Sequence, residues 1–69
     1  MILKITLHAR NKMSILGISK EQVKEAIKKG SKFRQTEGLL AKYSWFAVAY
    51  RKIGEHTYKV KTVEPRERL

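Results

Sequence analysis

The first apolar stripe along the chain has the period of a helix and predicts a helix over residues 7–16. Three apolar residues lie four and then three positions apart, a threonine stands before them as an N-cap, and a glycine follows as a stop signal. In chain order these residues are Thr6, Ala9, Met13, Leu16 and Gly17. The preceding "MILKI" is typical of a short strand or an ordered lead-in.

A second helix is predicted over residues 20–29, with more complete boundary signals. Ser19 and Gln22 have the spacing of a capping box, and Gly30 stands at the C-terminal end. The apolar residues expected to pack at its entry and on its inner face are Ile18, Val23, Ala26 and Ile27.

The second half of the chain changes to the alternating period of strands. "SKFRQT" is a weak strand signal followed by a turn at Glu37–Gly38, and "WFAVAYR" and "TYKVKTV" are strong strand signals joined by the turn "KIGEH". An odd-length turn predicts one face under the helices, made of Phe46, Val48, Tyr50, Tyr58, Val60 and Thr62. The expected fold is α+β, with two N-terminal helices packed on one face of a three- to four-stranded antiparallel sheet, as a single domain over residues 1–69.

The other face of this hairpin is the best candidate for a binding surface. Ala47 and Ala49 would form a shallow floor with Arg51, Lys59 and Lys61 around it. A lysine-rich strand face can simply be solvated. Alanine is a poor strand former, however, so its use here also suits close approach of a phosphate-bearing ligand.

The charge of the chain favours an anionic partner. Lysine and arginine total 16 against six acids, all glutamate, for a net charge of +10. This balance indicates nucleic acid or an acidic protein. A membrane is disfavoured, because no basic stretch carries a continuous apolar face and no apolar run could span a bilayer. The chain has no cysteine, and we expect a soluble cytoplasmic protein.

A basic surface with histidine is able to cleave RNA without a metal, because proton transfer and charge stabilisation are the two requirements. His8, His56 and Glu64 could exchange protons, and His8 is the first candidate, with a structural hydrogen-bonded role as its alternative. Arg51 is the candidate for charge stabilisation. No cluster has metal-ligand spacing, so neither a metal nor another cofactor is expected. The candidate nucleic-acid contacts are Arg10, Lys12, Lys59, Lys61 and, by strand parity on the basic face, the stacking residue Trp45.

Two motifs resemble a known family over about residues 6–65. The opening "HARNKM", followed by "GISKEQVKEAIKKG", and the closing "YKVKTVEP" are similar to a small His-Ala-Arg family of unknown function, grouped with RelE/ParE-like toxins in the barnase–colicin–RelE fold. The resemblance carries over His8, Arg10 and the strand around Lys61. The sequence departs from the family at Lys12 and Leu16, where arginine is common, and both departures count against an arginine-dependent active site.

The resemblance implies the toxin of a toxin–antitoxin module, which binds RNA and can act as a metal-independent endoribonuclease. Its partners would be RNA, including mRNA at the ribosome, an acidic antitoxin, and a second copy in a homodimer. The alternative is a non-catalytic nucleic-acid-binding or protein-interaction module on the same fold.

Overall fold

Residues 1–66 are described by a computed structural model, in which both helices begin and end where their caps predict. The Thr6 side chain accepts a hydrogen bond from the Ala9 amide and starts helix α1. Gly17 ends α1 in the left-handed conformation, with φ 71°, which a glycine adopts without strain. The helix covers Leu7–Leu16.

Helix α2 covers Lys20–Lys29 and has the complete capping box. The Ser19 hydroxyl accepts from the Gln22 amide at 3.2 Å, and the Gln22 side chain accepts from the Ser19 amide at 2.8 Å. Each bond satisfies a donor that the first helical turn leaves unpaired.

The sheet has five strands in the order β1-β5-β4-β3-β2. All neighbouring pairs are antiparallel except β1 and β5, which run parallel. The α+β class is therefore confirmed, while the expected three- to four-stranded, wholly antiparallel sheet is wrong in both details. The strands are β1 Ile2–Ile5, β2 Ser31–Gln35, β3 Gly38–Tyr43, β4 Phe46–Lys52 and β5 Thr57–Pro65.

One strand, β3, has no counterpart among the strand predictions, and its segment "GLLAKY" shows why. Its apolar residues include a consecutive Leu-Leu-Ala run rather than a clean alternation, because Leu40 lies on the face opposite Leu39 and Ala41. The pairing of β1 with β5 could not be read from local pattern, because it joins residues more than fifty positions apart.

A bulge in β5 changes which side chains reach the core. Ala49 pairs with Thr62, but the next residue, Tyr50, pairs with Val60, so Lys61 is the extra residue of the bulge. Thr62 therefore lies on the face opposite the helices, and the prediction that it faces them is wrong. Val63 takes the core position instead and is fully buried.

The core lies between the two helices and one face of the sheet. The fully buried side chains Phe46, Val48 and Val60 come from the central strands, and Ala9 and Val23 cover them from the helices. Both helices lie on this side of the sheet. The opposite side, here called the open face, has no covering element among residues 1–66. The open face carries Phe33, Leu40, Lys42, Ala47, Ala49, Arg51, Lys59, Thr62, Glu64 and Lys4.

Candidate functional site

Three cations form a continuous row across one end of the open face. Arg51 pairs with Lys59, which pairs in turn with Lys4, so neighbouring strands place like charges directly opposite each other. All three side chains are exposed. Like charges in register destabilise a sheet, so this row costs stability when nothing anionic is bound. It is the arrangement expected of a surface that holds phosphate.

The alanine floor lies beside this row, as the sequence predicts. Ala47 and Ala49 are only 6% and 7% exposed although neither belongs to the core between sheet and helices. Longer side chains on the adjacent strands screen them from solvent. A ligand that displaced those side chains could approach the backbone of β4 more closely at an alanine than at a larger residue.

Lys61 has a structural contact in addition to its charge. Its ammonium donates a 2.7 Å hydrogen bond to the carbonyl oxygen of Glu37, in the turn between β2 and β3. Core residues fill the helix-facing side at Tyr50 and Val60, so the Lys61 side chain crosses the sheet on its open side. Lys61 thus links β5 to the turn between β2 and β3, and two of its N–H groups remain for a ligand.

The other end of the open face holds a cavity of about 240 Å³. Its floor is Ala47, which lies in register between Lys42 on β3 and Glu64 on β5. Strands are about 4.8 Å apart, so the backbones at Lys42 and Glu64 are roughly 10 Å apart. The lining residues are Leu40, Lys42, Ala47, Glu64, Pro65 and Arg66.

A larger cavity of about 390 Å³ lies on the other side of the sheet, between α2 and the β3–β4 turn. Its lining includes Glu21 and Glu25, which repel phosphate, and both carboxylates already form ion pairs with lysines on α2. Within residues 1–66 these are the ion pairs that the structure contains. The cations of the open face are therefore left to attract an external anion.

The two predicted catalytic residues do not share a surface. Arg51 is on the open face, whereas His8 is exposed on the first turn of α1, in the helical layer. Arg10 and Lys12 belong to the same helix as His8. The structure thus brings Arg51 together with Lys59 and Lys61, and it places the three residues from α1 elsewhere.

Trp45 lies in the turn between β3 and β4, just before β4 begins. The strand alternation that predicts it on the basic face does not extend to this position. Its ring packs edge-on against the core residue Phe46, with the two ring centres 5.3 Å apart. The Trp45 side chain remains 46% exposed. Tyr50 faces the core, and burial raises the pKa of its phenol above the ordinary value of 10.0, with a smaller contribution from Tyr58.

The sequence did not place Leu40, Lys42 or Lys4 on the open face. Lys42 and Leu40 are on the unrecognised β3, and Lys4 joins the basic row only through the parallel pairing of β1. The ammonium of Lys42 lies 4.7 Å from the centre of the Phe33 ring on the edge strand β2. The segment "GLLAKY" lacks a clean alternation of apolar and polar residues, so no local pattern marked this part of the face.

Residues 1–66 contain no group of three histidine or carboxylate side chains placed to hold a metal ion. In the same residues, neither helix has the length and apolar character needed to cross a membrane.

No protein-family model matches the chain, and no curated protein is significantly similar to it in sequence. In the solved structures, the fold is that of a chain in a toxin–antitoxin complex. That complex is RelBE2 from Mycobacterium tuberculosis, matched with a TM-score of 0.62 and 18% identity over 94% of this chain and 96% of the other.

Proposed function

We propose that the chain binds RNA on its open face and acts as the toxin of a toxin–antitoxin module. The observation that carries this proposal is the row of Lys4, Lys59 and Arg51, placed in register with no carboxylate paired to it within residues 1–66. Its support is the net charge of +10 and the shared fold with a chain of the RelBE2 complex.

RNA rather than duplex DNA suits the shape of this surface. A five-stranded sheet with an exposed aromatic, Phe33, at one edge offers a flat platform on which unstacked bases can lie. The neighbouring cations would follow the phosphates of a single strand. Neither helix lies on the open face, so no helix would enter a major groove from it.

For cleavage, Arg51 is the proposed stabiliser of charge on the phosphate at the transition state. Its place beside Lys59 concentrates positive potential at the end of the alanine floor. His8 remains a candidate for RNA contact or proton transfer from the helical layer, and Arg10, Lys12 and Trp45 for RNA contact outside the open face. The metal-free reaction needs a proton acceptor near the 2′-hydroxyl.

A second function is favoured by one observation. Because His8 and Arg51 lie in different layers, the open face by itself lacks the histidine that proton transfer would use. The protein would then inhibit translation by occupying RNA, without cutting it. In either case an acidic antitoxin segment would neutralise the same cations.

The experiment that tests the proposal is induced expression in a bacterial host, followed by growth measurement and mapping of RNA 5′ ends. We expect growth arrest, with new 5′ ends if the chain cleaves RNA and without them if it only binds. Purified protein should also bind generic single-stranded RNA at low salt. Absence of both growth arrest and binding would refute the proposal.

A matched pair of arginine variants locates the function on the open face. Arg51→Ala should relieve growth arrest, and it should lower any cleavage rate by roughly 10²–10³. Arg34→Ala removes the same charge from the edge strand β2, at a position paired with the core-facing Leu39 rather than on the open face. It should leave growth arrest intact.

A further inference from the structure

Glu64 places a carboxylate on the open face, where the other charged side chains are lysine and arginine. Among residues 1–66 the other glutamates lie on α2 or in turns, while Glu64 alone lies within a strand, on the open face. A carboxylate there repels the RNA backbone. Its position is informative because it also lines the 240 Å³ cavity.

The two cations around this cavity are turned toward other partners. The ammonium of Lys42 lies over the Phe33 ring on the far side. The guanidinium of Arg66 donates a 3.0 Å hydrogen bond to the Ser44 carbonyl, and the Arg66 amide donates to the Trp45 carbonyl. The gap between Lys42 and Glu64 therefore remains open above Ala47.

From this arrangement we infer that the cavity holds one RNA base and that Glu64 selects guanine. The cavity is smaller than the roughly 300–1,000 Å³ of sites for drug-sized ligands, and its floor is apolar, with Ala47 and Leu40. A planar base would lie on that floor with its edge toward Glu64. The inference rests on the proposed RNA binding.

The choice of guanine follows from hydrogen-bond chemistry. An ionised carboxylate only accepts hydrogen bonds, and it has two oxygens side by side. Guanine presents two adjacent donors on its Watson–Crick edge, N1–H and the N2 amino group. Adenine, cytosine and uracil each place an acceptor beside their donor, and that acceptor would face a carboxylate oxygen. Bonds to a charged acceptor are the stronger kind, so the preference should be large.

The test measures binding of the whole chain to short uridine oligonucleotides with one variable central base. The strands carry 2′-O-methyl groups, which prevent cleavage through the 2′-hydroxyl. The central base is guanine, hypoxanthine, adenine or uracil. Hypoxanthine keeps N1–H and the carbonyl of guanine but lacks the N2 amino group. We expect guanine to bind roughly ten-fold or more tightly than hypoxanthine, and adenine and uracil to bind no better than hypoxanthine.

Two glutamate variants separate base selection from charge. Glu64→Gln should bring the guanine-to-hypoxanthine ratio close to one, while affinity for the all-uridine strand stays equal or rises because a negative charge is lost. Glu55→Gln makes the same charge change in the exposed β4–β5 turn and should keep the guanine preference. Ala47→Val places a larger side chain on the cavity floor and keeps a high strand propensity, so it should also remove the guanine preference. This variant provides the test if Glu64→Gln does not fold.

The outcomes are distinct from those of the proposed function. If no strand binds even at low salt, RNA binding itself is refuted. If all four strands bind alike, or if the guanine preference survives in both Glu64→Gln and Ala47→Val, RNA binding stands and the guanine site is refuted.

Discussion

The Thr6 hydroxyl donates a 3.1 Å hydrogen bond to the carbonyl oxygen of Lys61, which lies 55 residues further along the chain. The Thr6 hydroxyl oxygen in turn accepts a hydrogen bond from the Ala9 amide and caps α1. One side chain thus starts the first helix and fixes it to the bulge of β5. This position decides how the helical layer is placed on the sheet.

We expect Thr6→Ala to lower the free energy of unfolding by about 1–2 kcal/mol. A lost N-cap alone costs about 1 kcal/mol, and the Lys61 carbonyl also loses its hydroxyl partner. Thr6→Ser keeps both hydrogen bonds and should recover most of the loss. Urea denaturation measures both variants, and equal stability of the alanine and serine proteins would contradict this account.

The double variant Arg51→Gln/Lys59→Gln should weaken RNA binding and flatten its salt dependence. Each phosphate contact on a single strand contributes about 0.7 to the slope of log affinity against log salt, so losing two should reduce the slope by about 1.4. Lys20→Gln/Lys28→Gln removes the same charge from exposed positions on α2. That control should leave the slope unchanged, and an equal loss in both proteins would show that net charge alone drives binding.

Gly38→Ala should be strongly destabilising. Gly38 begins β3 with φ 140°, and a Cβ there would collide with the carbonyl oxygen of Tyr50. Backbone strain of this kind costs about 1–3 kcal/mol, and the collision adds to it. Gly54→Ala is the comparison, because its Cβ would meet Thr57 only at an ordinary 3.4 Å. Thermal unfolding should show a clear loss for the first variant and a change within about 0.5 kcal/mol for the second.

Burial of Tyr50 predicts a loss of stability at alkaline pH. Its pKa is raised above 10.0 in the folded protein, so the folded state holds the phenol proton more tightly than the unfolded state does. The resulting stability is fully present below pH 10 and falls as pH rises from there through the folded pKa. Tyr50→Phe should make stability less dependent on pH above 10. Urea midpoints at several alkaline pH values test this, and an unchanged dependence would contradict it.

Local signals were enough to predict both helices, since their caps and stops are formed by residues within one turn of each boundary. Thr6, Ser19 and Gly17 act through neighbouring amides and their own backbone angles. The same holds for the hairpin of β4 and β5, whose alternation places Arg51 and Lys59 on the open face.

The rest of the face depended on distant pairing. A one-residue bulge at Lys61 reversed the alternation of β5 beyond it, and nothing in "YKVKTV" marks that residue as extra. Lys4 and Lys42 reach the face through strands whose partners are set by the whole sheet. His8 was proposed from its chemistry and its motif, and neither contains information about the layer in which α1 lies.

The parallel pairing of β1 with β5 also sets the moment at which the sheet can be completed. During synthesis Ile2–Ile5 are made more than fifty residues before their partners, residues 57–60. Until β5 emerges, β1 has no strand to bond, and Lys4 has no Lys59 beside it. The growing chain therefore cannot assemble the row of three cations before β5 has emerged from the ribosome.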